Sequence, residues 1–197
     1  GVVHFHAGEL VDTLTTVQGV IASKPLYLGT YVITEITAPE GYILDSTPHD
    51  VTLSYGGQAI ELVSESLSLD NVPQMGTITI TKVDTETGKS IVGADAVFEL
   101  RAKEDIVTAD GTIRHKAGEL VDTLTTKDGV ATTGLLYLGA YTITEMTAPE
   151  GYLLDDTPHD VTLVYCGQDV ELVTESLTIE NAPQMGQIVI TKVDSET

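Results

Sequence analysis

A chain of 197 residues that is 42% hydrophobic can bury a packed core, either as one large domain or as two smaller ones. Its formal charge of -21, with nine Lys and Arg in all, leaves no basic face of the kind that nucleic acid or an anionic membrane surface demands, so neither is an expected partner. Val, Ile, Thr, Tyr and Leu are plentiful and no apolar series keeps a 3.6-residue period beyond a turn or two, so the chain reads as all-β. No apolar run is long enough to span a bilayer, and neither a signal peptide nor a lipidation motif is expected within this segment. The single Cys166 excludes an internal disulfide framework and reads as an incidental thiol in an acidic hairpin.

Taken in order, the chain repeats itself. Gly1 to Thr87 superimposes on Gly111 to Thr197, a shift of 110 residues, with about two thirds of positions identical. AGELVDTLTT, LYLG, TAPEGY, TPHDVTL and an NxPQMG segment recur in the same sequence, so the repeat is a whole domain and not a short solenoid unit. The Pro and Gly of Asn71 to Gly76 and of Asn181 to Gly186 mark the boundaries. The expected organisation is 1–73, a repeat lacking its opening strands; 74–183, a complete repeat; and 184–197, the opening strand of a following one. Links this short predict stacked neighbours.

Within the complete repeat, expected strands cover Thr77 to Asp84, Ala94 to Ala102, Ala117 to Thr126, Gly129 to Gly139, the segment from Tyr141, His159 to Tyr165, Val170 to Val173 and Glu175 to Asn181. Short strands at this spacing, with turn residues between them, argue for tandem antiparallel β-sandwiches of immunoglobulin-like architecture.

Three positions break the rule that the apolar face of a strand stays apolar. Alternation puts Ile78, Ile80 and Lys82 in phase on the first strand, Tyr141, Ile143 and Glu145 on a middle one, and Leu177, Ile179 and Asn181 on the last. Related triplets end in Glu35, Asn71 and Lys192. With seven lysines in the chain, two at the same inward phase of the same strand point to a role. One reading is bland: the polar groups sit at strand ends in water, or form a buried ion pair beside an amide. The sharper one follows from a low dielectric, which favours the neutral forms of an amine and a carboxylic acid. A neutral Lys82 could attack the carboxamide of Asn181, with Glu145 bonding the amide oxygen and shuttling protons, to release ammonia and leave an amide cross-link.

The segment YTITEMTAPEGY, Tyr141 to Tyr152, resembles the pattern YxLxETxAPxGY of the B-type, prealbumin-like domains of collagen adhesins and Gram-positive pilins, with Ile143 in place of Leu and Met146 in place of Thr. TITKVDTETGKSIVGADAVFEL is similar to that family's opening hairpin. The resemblance implies a prealbumin-like sandwich and an isopeptide bond between Lys82 and Asn181 catalysed by Glu145, with Glu35, Asn71 and Lys192 as the matching members of the flanking repeats. It also implies an extracellular place at a bacterial cell surface or wall. Neither a wall-sorting signal nor a pilin motif is recognised in this segment.

Other features carry less. His4 and His6 alternate on an expected strand and could enter a metal site, although no Cys or third ligand stands near; surface histidines are the alternative. His49 and His159 follow Pro in TPHD, which reads as turn chemistry. The acidic TETG and LDDTP turns lack the alternating oxygens and closing glutamate of a calcium loop. No cofactor is expected, and no constellation for turnover of an external substrate stands out, so the protein reads as a structural stalk segment whose only chemistry is a single self-catalysed event. Its expected partners are neighbouring repeats and head-to-tail copies. The alternative is an adhesin module binding host protein or glycan, against which the absence of Trp and of a distinctive loop argues.

Overall fold

The computed structural model describes residues 2–196, in two compact units. The smaller comprises residues up to Ile36 together with Asp45–Asp70. Its regular structure is one antiparallel hairpin, β1 (Gly29–Ile33) with β2 (His49–Leu53), in which Tyr31 lies opposite Val51. The strand expected around His4 and His6 is absent; His4 instead stacks on the Tyr27 ring at 3.6 Å. Nor does the Leu67, Leu69, Asn71 triplet form a strand. Leu67 and Leu69 are about two-fifths exposed, because no neighbouring strand pairs with residues 62–71.

The larger unit comprises Thr37–Leu44 and the residues from Asn71 onward. It holds β3 (Met75–Asp84), β4 (Val97–Ala102), β5 (Ile106–Val107), β6 (Ile113–His115), β7 (Leu120–Thr125), β8 (Val130–Thr132), β9 (Leu136–Tyr137), β10 (Gly139–Thr147), β11 (His159–Leu163) and β12 (Leu172–Asn181). One sheet runs β11-β10-β4-β7; the other runs β12-β3-β8, with β9 on β3. Their inner faces meet in one core of Ile78, Ile80, Phe98, Leu100, Tyr141, Ile143, Leu163 and Ile179, all at 1% exposure or less. These residues alternate with outward Thr and Glu along each strand, the period-2 pattern of a half-buried sheet. Among the described residues there is no helix.

Several expectations change. The two final strands are one, since Thr174 keeps its pairing opposite Thr77 and the ladder runs unbroken from Leu172 to Asn181. That ladder is parallel, so the otherwise antiparallel sandwich joins its first and last strands in the same direction. The stretch Gly129 to Gly139 splits into β8 and β9, and β4 begins three residues later than expected, at Val97. The hairpin β5–β6 was not anticipated; Ile106, 1% exposed, anchors it to the core. Residues 187–196, the expected opening strand of a following repeat, form no strand, and Ile188 and Ile190 are 88% and 84% exposed.

Candidate functional site

Lys82 comes from β3 in one sheet, Glu145 from β10 in the other, and Asn181 from the end of β12 beside β3. All three are at 1% exposure or less. The lysine is aimed inward by its backbone: Lys82 N–H donates to the Gly129 carbonyl at 2.7 Å, and its own carbonyl accepts from Ile91 N–H at 3.0 Å. Gly129 has φ +79, and a Cβ there would lie 2.8 Å from the Ile91 carbonyl oxygen, so this close approach requires glycine.

Glu145 presents one oxygen to Lys82 and the other to Asn181. Its Oε1 lies 3.3 Å from Lys82 Nζ, within ion-pair reach but without hydrogen-bond alignment. Its Oε2 accepts from Asn181 Nδ2 at 2.9 Å and from the Asp155 N–H at 3.1 Å. Asn181 Nδ2 also donates to the Leu153 carbonyl at 2.7 Å. That carbonyl fixes which way the amide faces, because only the nitrogen can donate to it. The expectation that Glu145 bonds the amide oxygen is therefore corrected: it holds the amide nitrogen.

Four buried side-chain atoms lack a hydrogen-bond partner among the described residues, and three of them are Lys82 Nζ, Glu145 Oε1 and Asn181 Oδ1. Buried polar atoms are nearly always paired, so three orphans in one cluster mark a set of groups held for something other than the bonds they make. Burial pulls the Lys82 amine below the ordinary lysine value and outweighs the Glu145 carboxylate, which acts in the opposite direction. The Phe98 ring, 5.9 Å from Nζ, closes the pocket on the core side.

Glu35 repeats one feature of Glu145, accepting from the Asp45 N–H at 3.2 Å. Asn71 repeats one feature of Asn181, donating to the Ile43 carbonyl at 3.4 Å. Lys192 is exposed. His159 and His49 open β11 and β2 instead of lying in turns, opposite Ile143 and Ile33. Two carboxylates at the acidic turns are engaged locally: Asp84, just before TETG, accepts from Glu86 and Thr87 N–H, and Asp155 from Thr157 N–H. Asp84 also accepts from the Tyr152 hydroxyl at 2.9 Å, which ties the end of the TAPEGY motif to the strand bearing Lys82. Alternation could not have found this contact, nor the backbone of Leu153 and Asp155, since both depend on how the loop folds back.

The sequence profile described as SpaA, prealbumin-like fold domain, matches residues 4–66 and 76–178. The chain belongs to this family. No curated protein matches it. Among solved structures it is similar to the Bacillus anthracis TIE protein, with a TM-score of 0.58 and 26% identity over 80% of this chain and 26% of that one. It also matches the major pilin subunit BcpA of Bacillus cereus, at TM-score 0.38 and 28% identity, over 56% of this chain and 30% of the pilin. The pilus 2b backbone protein of group B streptococcus matches at TM-score 0.41 and 24% identity, over 82% of this chain and 52% of that one. The chain thus spans about a quarter to a half of these relatives. As a member of the family it is an all-β protein of prealbumin-like fold.

Proposed function

We propose that this chain is a structural segment of a bacterial surface filament or adhesin stalk, locked by an amide bond that its own residues form between Lys82 and Asn181. The observation that carries the reading is the buried triad, in which Glu145 Oε1 faces the attacking nitrogen and Oε2 the leaving one. Lys82 Nζ attacks Asn181 Cγ, a C–N bond forms, the bond from Cγ to Nδ2 breaks, and ammonia leaves. Glu145 relays the proton from amine to leaving nitrogen, standing within reach of both. Proximity is supplied by folding, and the reaction occurs once per molecule, so the protein is not an enzyme toward other substrates.

In the new amide the N–H derived from Lys82 Nζ would face Glu145 Oε1, and Asn181 Oδ1 would stay in place as the carbonyl oxygen. We take 74–183 as the complete repeat, with 1–73 and 184–197 as parts of its neighbours; the two family matches support that division. Glu35, Asn71 and Lys192 then belong to the equivalent bonds of adjacent repeats. The outer cell surface is the setting such a lock suits, since it staples an oxidising-compartment protein that carries a single cysteine. Intact-mass measurement of the folded chain tests the proposal: it should fall below the sequence mass by one ammonia, with a branched peptide joining Lys82 to Asn181. A full sequence mass on a folded chain would sink it.

A further inference from the structure

Gln74 is a buried side chain outside the triad whose amide makes three hydrogen bonds. Gln74, 1% exposed, inserts its amide into the turn between β11 and β12. Its Nε2 donates to the carbonyls of Gly167 and Val170, and its Oε1 accepts from Cys166 N–H at 3.0 Å. The turn reciprocates through Gln168, whose Oε1 accepts from Ala38 N–H at 2.9 Å and whose carbonyl accepts from Leu44 N–H at 3.0 Å. Gln74 belongs to the NxPQMG segment, and Ala38 to Leu44 lie in the TAPEGY loop, so the contact joins two repeated motifs to a third.

Both halves of this clasp occur a second time. Gln184 N–H bonds the Gly151 carbonyl at 2.8 Å, as Gln74 N–H bonds that of Gly41, so the backbone carrying the second glutamine has the same geometry. The Gln184 side chain is exposed, and Leu153 and Leu154 are 52% and 53% exposed where Ile43 and Leu44 are half-buried. The second turn, Tyr55 to Ile60, keeps Tyr, Gly and Gln at the positions of Tyr165, Gly167 and Gln168. Its Tyr55 and Ile60 are 69% and 54% exposed where Tyr165 and Val170 are half-buried. An apolar knob and an apolar seat of matching chemistry are each uncovered, and the same chain shows how they fit.

We propose that Gln184 with Leu153 and Leu154 forms a docking surface for the Tyr55–Ile60 turn of a second copy of this chain. Gln184 Nε2 would donate to the Gly57 and Ile60 carbonyls of that copy and its Oε1 would accept from Gly56 N–H, while Gln58 would return a bond to Ala148 N–H. Knob and seat are different surfaces, so the contact is head-to-tail and does not close on itself. This rests on the reading of the chain as a stalk segment, but its test is separate, because ammonia loss is measured on each molecule whether or not it associates.

The experiment is sedimentation velocity of the whole chain over rising concentration, with residue-resolved chemical shifts. Salt of about 0.5 M would screen the mutual repulsion of so acidic a protein. The expected result is reversible head-to-tail association that shifts the Gln184 side-chain amide and Gln58, weakened about tenfold in Gln184→Ala. Gln74→Ala, which opens the internal clasp, should leave association unchanged. A chain that stays monomeric throughout would overturn the proposal. So would association that persists in Gln184→Ala, including association lost instead in Lys192→Ala, which would indicate strand exchange.

Discussion

Asn181 lies one side-chain period beyond Ile179, the residue directly opposite Lys82 on the parallel strand β12. The Lys82 and Asn181 side chains thus share a face on neighbouring strands about 4.8 Å apart, within the reach of a lysine side chain. Because the strands are parallel, tension applied along the chain at Gln74 and Ala182 pulls β3 and β12 in opposite senses, loading the ladder in shear. A bond from Lys82 to Asn181 would carry that load and spare everything between them.

Removing the proposed proton relay should stop the proposed cross-linking and spare the fold. Glu145→Ala is expected to retain the full sequence mass while circular dichroism still reports an all-β chain. A variant that loses ammonia as the parent does would remove Glu145 from the mechanism.

The proposed bond would close a loop of roughly 100 residues, which by the chain-entropy argument for cross-links would stabilise the folded state by about 4 to 5 kcal/mol. Asn181→Ala should lower the denaturant midpoint of the larger unit by a corresponding amount. An unchanged midpoint would mean that the parent chain carries no cross-link.

In that same variant Lys82 keeps its amine, and the pH dependence should expose it. Burial lowers its folded-state affinity for protons, so between the lowered value and the ordinary lysine range the unfolded chain binds more protons. Stability of Asn181→Ala should therefore rise with pH through that window. A parent chain cross-linked as proposed, in which Lys82 would no longer titrate, should lack this slope when unfolding is followed at matched pH.

Tyr141 provides a second titration. Its phenol is fully buried and donates to the Tyr137 carbonyl at 2.6 Å, and burial pushes its ionisation up to about 12. The folded state then holds this proton longer than the unfolded state, so stability should fall as pH rises from about 10, the ordinary tyrosine value, toward 12. Ultraviolet titration should show one tyrosine that ionises only as the chain unfolds. Tyr141→Phe should abolish that late step and cost about 1 to 3 kcal/mol for the unpaired carbonyl.

The sequence by itself determined the all-β class, the tandem repeat and the inward phase of Lys82, Glu145 and Asn181. Each is written in local order: a period of two places a side chain on one face wherever the strand later goes, and a repeat is visible without any fold. What alternation could not supply was which strands become neighbours. The parallel pairing of β3 with β12, the choice of the Asn181 nitrogen as the atom Glu145 holds, and the burial of Gln74 depend on contacts between residues far apart in the chain. The segments 62–71 and 187–196 show the same limit from the other side. They carry the pattern of β12 and β3 and form no strand, because a strand is completed by the neighbour that bonds its backbone, and only tertiary structure decides whether that neighbour is there.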